Sequence, residues 1–234
     1  MGIKTETRFL VYDREARSDS IGKIPVPASI YGRGAGFLVN PCRSLQIEDK
    51  HMSECRNWYN GDPILEEYHD HEWCRVKHDD DFQFRMLCLE GASVGLSWQL
   101  IMHKRAAYCA AFHGFIIDEC AAMTDEELEA QLSNPSIIRN KNKIYSVRKN
   151  AQIVKQIQKE FGSFDAYLWS FTDGKQIDGH WKTLQEIPTV SDVSIAMSKD
   201  MKKRGIGFVG PVITYSFLQA IGIVNDHLAD CEYR

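Results

Sequence analysis

The sequence has 234 residues, enough for one domain or for one domain with a tail. Hydrophobic residues make up 44% of it, yet no apolar run approaches the ~18 residues of a membrane helix. The N-terminus lacks a charged segment followed by an apolar one, so a secretory signal is not expected. Seven scattered cysteines are an odd count, which favours free thiols and metal ligands in a reducing cytoplasm over a disulfide framework.

Basic residues are unevenly distributed along the chain. The net charge of −4 argues weakly against a nucleic-acid partner. However, seven basic residues and no acidic one lie between Arg139 and Lys159, and a second basic cluster between Lys199 and Arg204 is interrupted only by Asp200. A chain that is acidic overall can still present a basic face to phosphate groups. Solvated helix faces are the alternative explanation.

Residues 1–51 differ in composition from the rest of the chain. They contain prolines and glycines and show no sustained helical period. They are therefore predicted to form an extended or partly disordered tail. The compact domain is predicted over residues 52–234, and Met52 is a possible alternative start.

The predicted domain has a helical period throughout. Asp79, Asp80 and Asp81 are predicted to supply an N-cap and favourable first-turn charges for a helix with apolar residues at helical spacing. Thr124 and Glu127 have the spacing of a capping box. A long helix is predicted over 143–161, and Pro211 is predicted at the first position of a later helix. No segment has convincing strand alternation, so the domain is predicted to be nearly all α, without an internal repeat.

Two cysteines and two histidines at the ends of the domain are candidate metal ligands: Cys55, His69, His227 and Cys231. His227 and Cys231 have the spacing that places two side chains on one face of a helix end. Two thiolates and two imidazoles suit tetrahedral zinc, and four protein ligands make a closed, structural site. The zinc would clip the N-terminal segment to the C-terminus. Ordinary histidines and buried thiols are the alternative, because the ligand pairs lie far apart in sequence.

Two segments combine aromatic and ionisable residues. One contains Tyr68 and Trp73, and the other places Glu90 on an apolar helix before small residues and Trp98. Small residues let a neighbouring helix or a flat ligand approach closely. A buried glutamate beside aromatic rings could accept hydrogen bonds from the edge of a base. A glutamate at the end of a packed core helix is the alternative.

A glycine-containing turn is predicted between the last two helices. Gly205 and Gly207 permit positive φ angles and are predicted to leave their amides pointing outward. Lys203 and Arg204 precede them, and a helix N-terminus that favours an anion follows. This pattern is typical of a helix-hairpin-helix turn that binds a DNA backbone phosphate.

Together these segments resemble the 3-methyladenine DNA glycosylase I family of bacterial base-excision repair. They run in family order over nearly all of the chain after residue 55. The segments that carry the resemblance are Asp70-x-Glu72-Trp73, Leu89-Glu90-Gly91, Gly95-Leu96-Ser97-Trp98, Ile137-Ile138-Arg139-Asn140, Leu168-Trp169-Ser170-Phe171, Lys202-Lys203-Arg204-Gly205, Phe208-Val209-Gly210, Tyr215-Ser216-Phe217 and Val224-Asn225-Asp226-His227.

The resemblance implies an all-α helix-hairpin-helix glycosylase fold in which a zinc clasp joins the N- and C-terminal parts. The family's zinc ligands fall on Cys55, His69, His227 and Cys231. Its base-pocket glutamate falls on Glu90, and its aromatic pocket residues fall on Tyr68, Trp73 and Trp98, with Trp58 nearby. The implied phosphate-binding residues are Lys203, Arg204, Gly205 and Gly207.

The implied activity is hydrolysis of the N-glycosidic bond of 3-methyladenine in double-stranded DNA, after the base flips into the aromatic pocket. The enzyme is expected to be a cytoplasmic monomer with no membrane partner. Asn225 stands where relatives on the same fold often carry an aspartate, so no aspartate base is assigned. No lysine is placed for Schiff-base chemistry, so a monofunctional enzyme is expected.

The sequence departs from the family pattern at two places. Two residues separate Cys55 and Trp58 where the family usually has one, and Cys74 follows Trp73 where the family usually has glycine. Two other functions remain open. One is a zinc-stabilised DNA-binding protein without catalysis, against which Glu90 argues. The other is a relative that acts on a different lesion.

Overall fold

The computed structural model describes residues 54–234, which form a mostly helical assembly. The predicted tail 1–51 and the predicted domain start at Met52 lie outside the described residues. Short 3-10 helices cover Glu54–Tyr59, His113–Phe115, Ser170–Thr172 and Leu184–Glu186. The α-helices are α1 (Pro63–His71), α2 (Asp80–Ser93), α3 (Trp98–His103), α4 (Arg105–Ala111), α5 (Ile117–Ala122), α6 (Asp125–Leu132), α7 (Lys141–Phe161), α8 (Phe164–Trp169), α9 (Asp192–Arg204) and α10 (Pro211–Ala220).

Helix ends occur where the sequence predicts them. The Asp79 carboxylate accepts the amide of Phe82 at the start of α2, and the Thr124 capping box at the start of α6 is complete. The long helix α7 begins two residues earlier than predicted because Asn140 caps it. Pro211 occupies the first turn of α10, where its missing N–H costs nothing.

Helix α2 lies at the centre of the core and packs against α3, α7, α8 and α10. Phe84, Met86 and Leu89 on α2 are fully buried. Burying each such side chain contributes about 1.5–3 kcal/mol to folding. A helix buried on most sides is a rigid support for any polar group that it carries, which matters for Glu90.

Helices α9 and α10 are joined by the predicted glycine-containing turn and pack against each other as a hairpin. Gly205 ends α9 with a φ of 97°, a left-handed conformation that glycine adopts readily. The amide of Gly205 donates to the carbonyl of Lys202, and the amide of Ile206 donates to that of Met201. These two bonds form a Schellman motif, which satisfies the last carbonyls of α9.

The described residues also contain two strands, which the prediction of a nearly all-α domain missed. β1 (Ile177–Asp178) pairs in parallel with β2 (Val224–Asn225). Two residues are too few to show an alternating pattern, so the sequence carries no signal for them. Among the described helices, none has both the length and the apolar composition that crossing a bilayer requires.

Candidate active site and metal cluster

The four predicted metal ligands lie together in the interior. Cys55, His69 and His227 are at most 1% exposed, and Cys231 is 8% exposed. Their candidate ligand atoms all lie within 4.8 Å of one another. Cys55 comes from the first 3-10 helix and His69 from α1, whereas the other two come from the C-terminal segment. The cluster therefore joins the two ends of the described chain.

The distances in the cluster match those of a tetrahedral metal site. Sulfur and nitrogen ligands of tetrahedral zinc lie about 3.5 Å apart, given metal–ligand bonds of about 2.0–2.3 Å. The Cys55 sulfur is 3.2 Å from His69 Nε2 and 3.6 Å from His227 Nδ1. The Cys231 sulfur is 3.9 Å from His69 Nε2 and 3.3 Å from His227 Nδ1. The four side chains can therefore supply two sulfur and two nitrogen ligands to a divalent cation.

Each histidine of the cluster is oriented by a hydrogen bond at its other ring nitrogen. His69 Nδ1 lies 2.7 Å from a carboxylate oxygen of Asp70, which also accepts a bond from Arg56. His227 Nε2 lies 3.2 Å from the carbonyl of Trp73. Both acceptors fix the proton on that nitrogen, which leaves the cluster-facing nitrogen free to bind a metal. The sequence analysis did not single out Asp70 or Arg56 for this role.

The two thiols of the cluster are in contact, and each changes the other's acidity. The hydrogen bond from Cys55 lowers the pKa of Cys231, and the same bond raises the pKa of Cys55. A divalent cation would stabilise both sulfurs as thiolates, as the chemistry of this donor set requires.

The expectation that His227 and Cys231 lie on a helix end is wrong. After β2 the chain follows a turn, in which the amide of Cys231 donates to the carbonyl of Leu228. The turn brings the two side chains together as a helix would. The unusual spacing of Cys55 and Trp58 is also accommodated, because side chains three residues apart in a 3-10 helix lie on the same side.

The four predicted pocket aromatics form one cluster. The ring centroid of Trp58 lies 5.7 Å from that of Trp73 and 6.5 Å from that of Tyr68. The ring of Tyr68 lies 5.6 Å from that of Trp98. Trp73 also packs against both cluster histidines, with its ring stacked on that of His69. The aromatic cluster therefore lies directly beside the metal cluster.

Glu90 is on the buried face of α2 and is 5% exposed. Burial raises the pKa of Glu90 to about 8, because desolvation disfavours the ionised carboxylate. Burial first, and then the nearby Glu90 carboxylate, raises the pKa of Tyr68. Glu90 therefore lies within electrostatic range of Tyr68, a member of the aromatic cluster.

Several polar groups in this region have no partner among residues 54–234. The indole N–H of Trp58 is buried without an acceptor. The carboxylate of Glu90 and the hydroxyl of Tyr68 also make no hydrogen bond to the described residues. Nearly all buried polar groups in proteins are paired, so unpaired donors and an unpaired acceptor around one aromatic cluster indicate a place for a ligand.

Cys74, the second departure from the family pattern, has a φ of 60°. This left-handed conformation is one that glycine adopts without strain, which explains why glycine suits the position. The Cys74 thiol accepts the amide of Asp226. That contact anchors the segment after Trp73 to the segment that carries His227.

The structure corrects the predicted hairpin chemistry. The amides of Gly205 and Gly207 do not point outward: the first donates within the Schellman motif, and the second donates to the side-chain oxygen of Asn150 at 2.9 Å. Arg204 pairs with Asp200 and Glu160. Lys203 is exposed. In the turn between α9 and α10, the backbone amides of residues 208–210, just before α10, donate to no acceptor among residues 54–234.

The basic run on α7 is partly used inside the protein. Lys143 donates to the carbonyls of Ala92 and Val94. Arg148 pairs with Asp125, and Lys155 pairs with Asp118. These three cations therefore have partners within the protein and are not simply solvated.

Gly91, next to Glu90, lets the hairpin turn pack against α2. A methyl group at Gly91 would lie 3.2 Å from the Cβ of Phe208. This separation is closer than ordinary packing allows. The small residues after Glu90 were predicted to let a neighbouring helix or a flat ligand approach closely. At Gly91 it is the hairpin turn that approaches.

Asp226, beside Asn225, is fully buried and was not assigned a role from the sequence. Its carboxylate accepts hydrogen bonds from Trp181, Tyr215 and Gln219, each at 2.7 Å. Three donors to one carboxylate hold the end of α10 against β2. Asp226 is therefore a structural residue that supports the neighbouring His227.

A family model described as methyladenine glycosylase matches residues 58–234. DNA-3-methyladenine glycosylase 1 of Escherichia coli (strain K12) is 41% identical over 180 residues, which cover 77% of this chain and 96% of the relative. DNA-3-methyladenine glycosylase of Haemophilus influenzae is 38% identical over 174 residues, covering 74% of this chain and 94% of the relative.

Solved structures agree with the sequence relatives. A 3-methyladenine DNA glycosylase I from Staphylococcus aureus superposes with a TM-score of 0.75 at 36% identity, covering 78% of this chain and 96% of that one. A tyrosine-to-phenylalanine variant of a 3-methyladenine DNA glycosylase I, in complex with 3-methyladenine, superposes with a TM-score of 0.75 at 35% identity. The match covers 78% of this chain and 97% of that one. This chain therefore belongs to the methyladenine glycosylase family.

Proposed function

We propose that this protein is a monofunctional DNA glycosylase that hydrolyses the N-glycosidic bond of 3-methyladenine in double-stranded DNA. The observation that carries the proposal is the buried, unpaired carboxylate of Glu90 beside the aromatic cluster. The family membership supports it, as does the relative whose structure holds 3-methyladenine. The protein would act as a cytoplasmic monomer.

Recognition of the lesion would use the cluster and the glutamate together. Methylation at N3 gives adenine a fixed positive charge, and a flipped base of this kind can stack on the rings of Tyr68 and Trp98. The ionised Glu90 would accept hydrogen bonds from the base edge and attract its charge. Trp58 and Trp73 would complete the aromatic wall.

Catalysis would rest on the charge that the lesion already has. The C1′–N9 bond breaks, its electron pair goes to the base, and the base leaves as neutral 3-methyladenine. Water adds to C1′ of the oxocarbenium-like sugar and releases a proton to solvent. The enzyme need not protonate the leaving group. Its contribution is to flip, orient and desolvate the nucleotide.

A structural Zn²⁺ would occupy the cluster of Cys55, His69, His227 and Cys231. The near-tetrahedral distances and the two oriented histidines support this assignment. When bound, the ion would supply folding energy by joining the N- and C-terminal segments. With four protein ligands it has no open position for a substrate, so it takes no part in the chemistry.

The hairpin between α9 and α10 would bind one DNA backbone phosphate. Because Gly205 and Gly207 donate internally, the amides of residues 208–210 and the N-terminus of α10 are the candidates for the direct contacts. Lys203 would add an exposed charge. Gly205 and Gly207 would shape the turn, and Arg204 would hold it through its ion pairs.

The proposed activity is tested by incubating the purified protein with methylated double-stranded DNA. We expect abasic sites in strands that stay intact until alkali is added, because no Schiff-base lysine is assigned. Binding to DNA without any abasic sites would instead support the alternative of a zinc-stabilised DNA-binding protein. Strand cleavage without alkali would contradict a monofunctional mechanism.

The activity should depend on pH through Glu90. The base carries a fixed charge, and the carboxylate becomes ionised as pH rises through about 8 in the free protein. We expect the excision rate at subsaturating protein to rise between pH 6 and 8, and the rise to be absent in Glu90→Gln. A parent profile that stays flat over this range would contradict the assignment.

Stability provides an independent test of the same pKa. Since burial raises the pKa of Glu90 from 4.5 to about 8, the folded state binds the proton more tightly than the unfolded state. Between these pH values the parent should lose stability relative to Glu90→Gln as pH rises. Chemical denaturation of both proteins at pH 5 and pH 8 measures the difference.

Lys203→Ala should weaken binding to all DNA sequences alike. One lost phosphate contact should reduce the slope of log affinity against log salt concentration by about one. Fluorescence anisotropy with two unrelated duplexes at several salt concentrations measures this effect. A loss confined to one flanking sequence would show that Lys203 contacts a base instead. Lys175→Met, an exposed lysine away from the hairpin, is the matched control.

A further inference from the structure

Lys143 is part of the basic run, yet its ammonium is turned toward the protein. It donates to the carbonyl of Ala92 at 2.8 Å and to that of Val94 at 2.7 Å. Burial lowers the pKa of Lys143, as expected for an amine partly withdrawn from solvent. The two carbonyls end α2, within one helical turn of Glu90.

The turn Val94–Ser97 follows α2 and begins with the second of these carbonyls. It connects the segment that carries Glu90 to Trp98 of the proposed pocket. Gly95 has a φ of 76°, and the amide of Leu96 donates to the carbonyl of Ser93. Val94 is 36% exposed and Leu96 is 40% exposed, so part of each apolar side chain lies in solvent. Within residues 54–234, the bond from Lys143 to the carbonyl of Val94 is the only side-chain hydrogen bond to this turn from another element.

The same face of α7 also holds the hairpin turn. Asn150 lies seven residues after Lys143, a spacing that returns to the same side of a helix. Its side chain accepts the amide of Gly207 at 2.9 Å and donates to the carbonyl of Gly207 at 3.3 Å. One rigid helix thus binds the pocket turn at one point and the proposed phosphate-binding turn at another.

We propose that Lys143 is a positioning residue of the base pocket, which fixes the turn between Glu90 and Trp98 in register with the hairpin held by Asn150. The carbonyls at a helix C-terminus carry partial negative charge, and an ammonium with several donors can bind two of them at once. The role of Lys143 in excision rests on the proposed function. The contact by which Lys143 holds the turn is independent of the proposed function.

This role differs from that of a phosphate contact, which the sequence would suggest for a lysine in a basic run. A phosphate contact sets the salt dependence of DNA binding. A positioning residue sets the rate of excision once DNA is bound, because misplacing a reacting group by about 1 Å can cost a hundredfold in rate. Lys143→Met removes the charge and keeps most of the side chain, whereas Lys143→Arg keeps the donors.

The first measurement is amide hydrogen exchange of the DNA-free protein. We expect Lys143→Met to exchange the amides of Val94 and Leu96 at least tenfold faster than the parent, and Lys143→Arg to stay near the parent rate. Lys175→Met is the matched control. If Lys143→Met does not fold, Lys143→Gln takes its place, because it keeps a donor but loses the charge.

The second measurement is single-turnover release of 3-methyladenine at saturating protein. We expect a loss of about tenfold in Lys143→Met, recovered in Lys143→Arg, with an unchanged salt slope for undamaged DNA. The proposal would be overturned if Lys143→Met exchanged its amides and released the base at the parent rates. A salt slope of Lys143→Met that falls as in Lys203→Ala would overturn it as well. Faster amide exchange in Lys143→Met combined with base release at the parent rate would also overturn it. If the parent releases no base, the proposed function fails, and exchange still decides whether Lys143 holds the turn.

Discussion

Replacing Cys231 with serine should lower the free energy of unfolding by about 4 kcal/mol or more, a size expected only for mutations such as the loss of a metal site. The substitution would remove one of four ligands and leave a buried polar cluster without its cation. Parallel elemental analysis should find one zinc per parent chain and much less in the variant. Chemical denaturation with and without chelator measures the stability.

Cys109→Ser is the matched control, because Cys109 is partly exposed and lies outside the cluster. It should keep both its zinc and its stability. A parent protein that contains no zinc after purification, and whose unfolding is indifferent to chelator, would show that the four side chains form an ordinary buried cluster. The fold would then depend on the helical core alone.

Glu90→Gln should slow release of 3-methyladenine by about ten- to a hundredfold in single-turnover assays. The amide keeps the shape of the side chain but removes its charge and replaces one acceptor with a donor. Losing one hydrogen bond to a charged group is worth about 1.5–3 kcal/mol, and each 1.4 kcal/mol is about tenfold in rate. The difference should grow from pH 6 to pH 8, as more of the parent carboxylate is ionised.

Glu90→Gln should still fold, and its binding to undamaged DNA should change little, because that binding does not need the pocket. Glu129→Gln, the same change at an exposed position of α6, is the control for nonspecific effects. A folded Glu90→Gln protein that releases the base at the parent rate would make Glu90 a structural residue. The pocket would then have to lie elsewhere on the fold.

Local chemistry explains why the starts of α2, α6 and α10 were predictable. Asp79, Thr124 and Pro211 act at helix ends through their own side chains or ring, so a few neighbouring residues are sufficient to place each end. The clustering of Cys55 with Cys231 was expected only from the resemblance to the family, because the spacing alone left ordinary buried thiols as the alternative. The two-residue strands left no pattern to detect.

Contacts between distant segments were not predictable. The sequence gives Lys143 and Arg148 as members of one basic run, and only the fold reveals that both bind other parts of the protein. The amide of Gly207 was expected to be free because the partner that takes it, Asn150, lies on another helix. Such pairings depend on how helices pack, which local pattern does not determine.

The pocket beside Glu90 is proposed to select 3-methyladenine, and identification of the bases that the protein releases from methylated DNA tests this selectivity. The purified parent protein and a heat-inactivated sample are incubated with DNA treated with a methylating agent, and the free bases are separated by chromatography. We expect 3-methyladenine to be the main product. Release of another methylated base in its place, or of no base at all, would contradict the account.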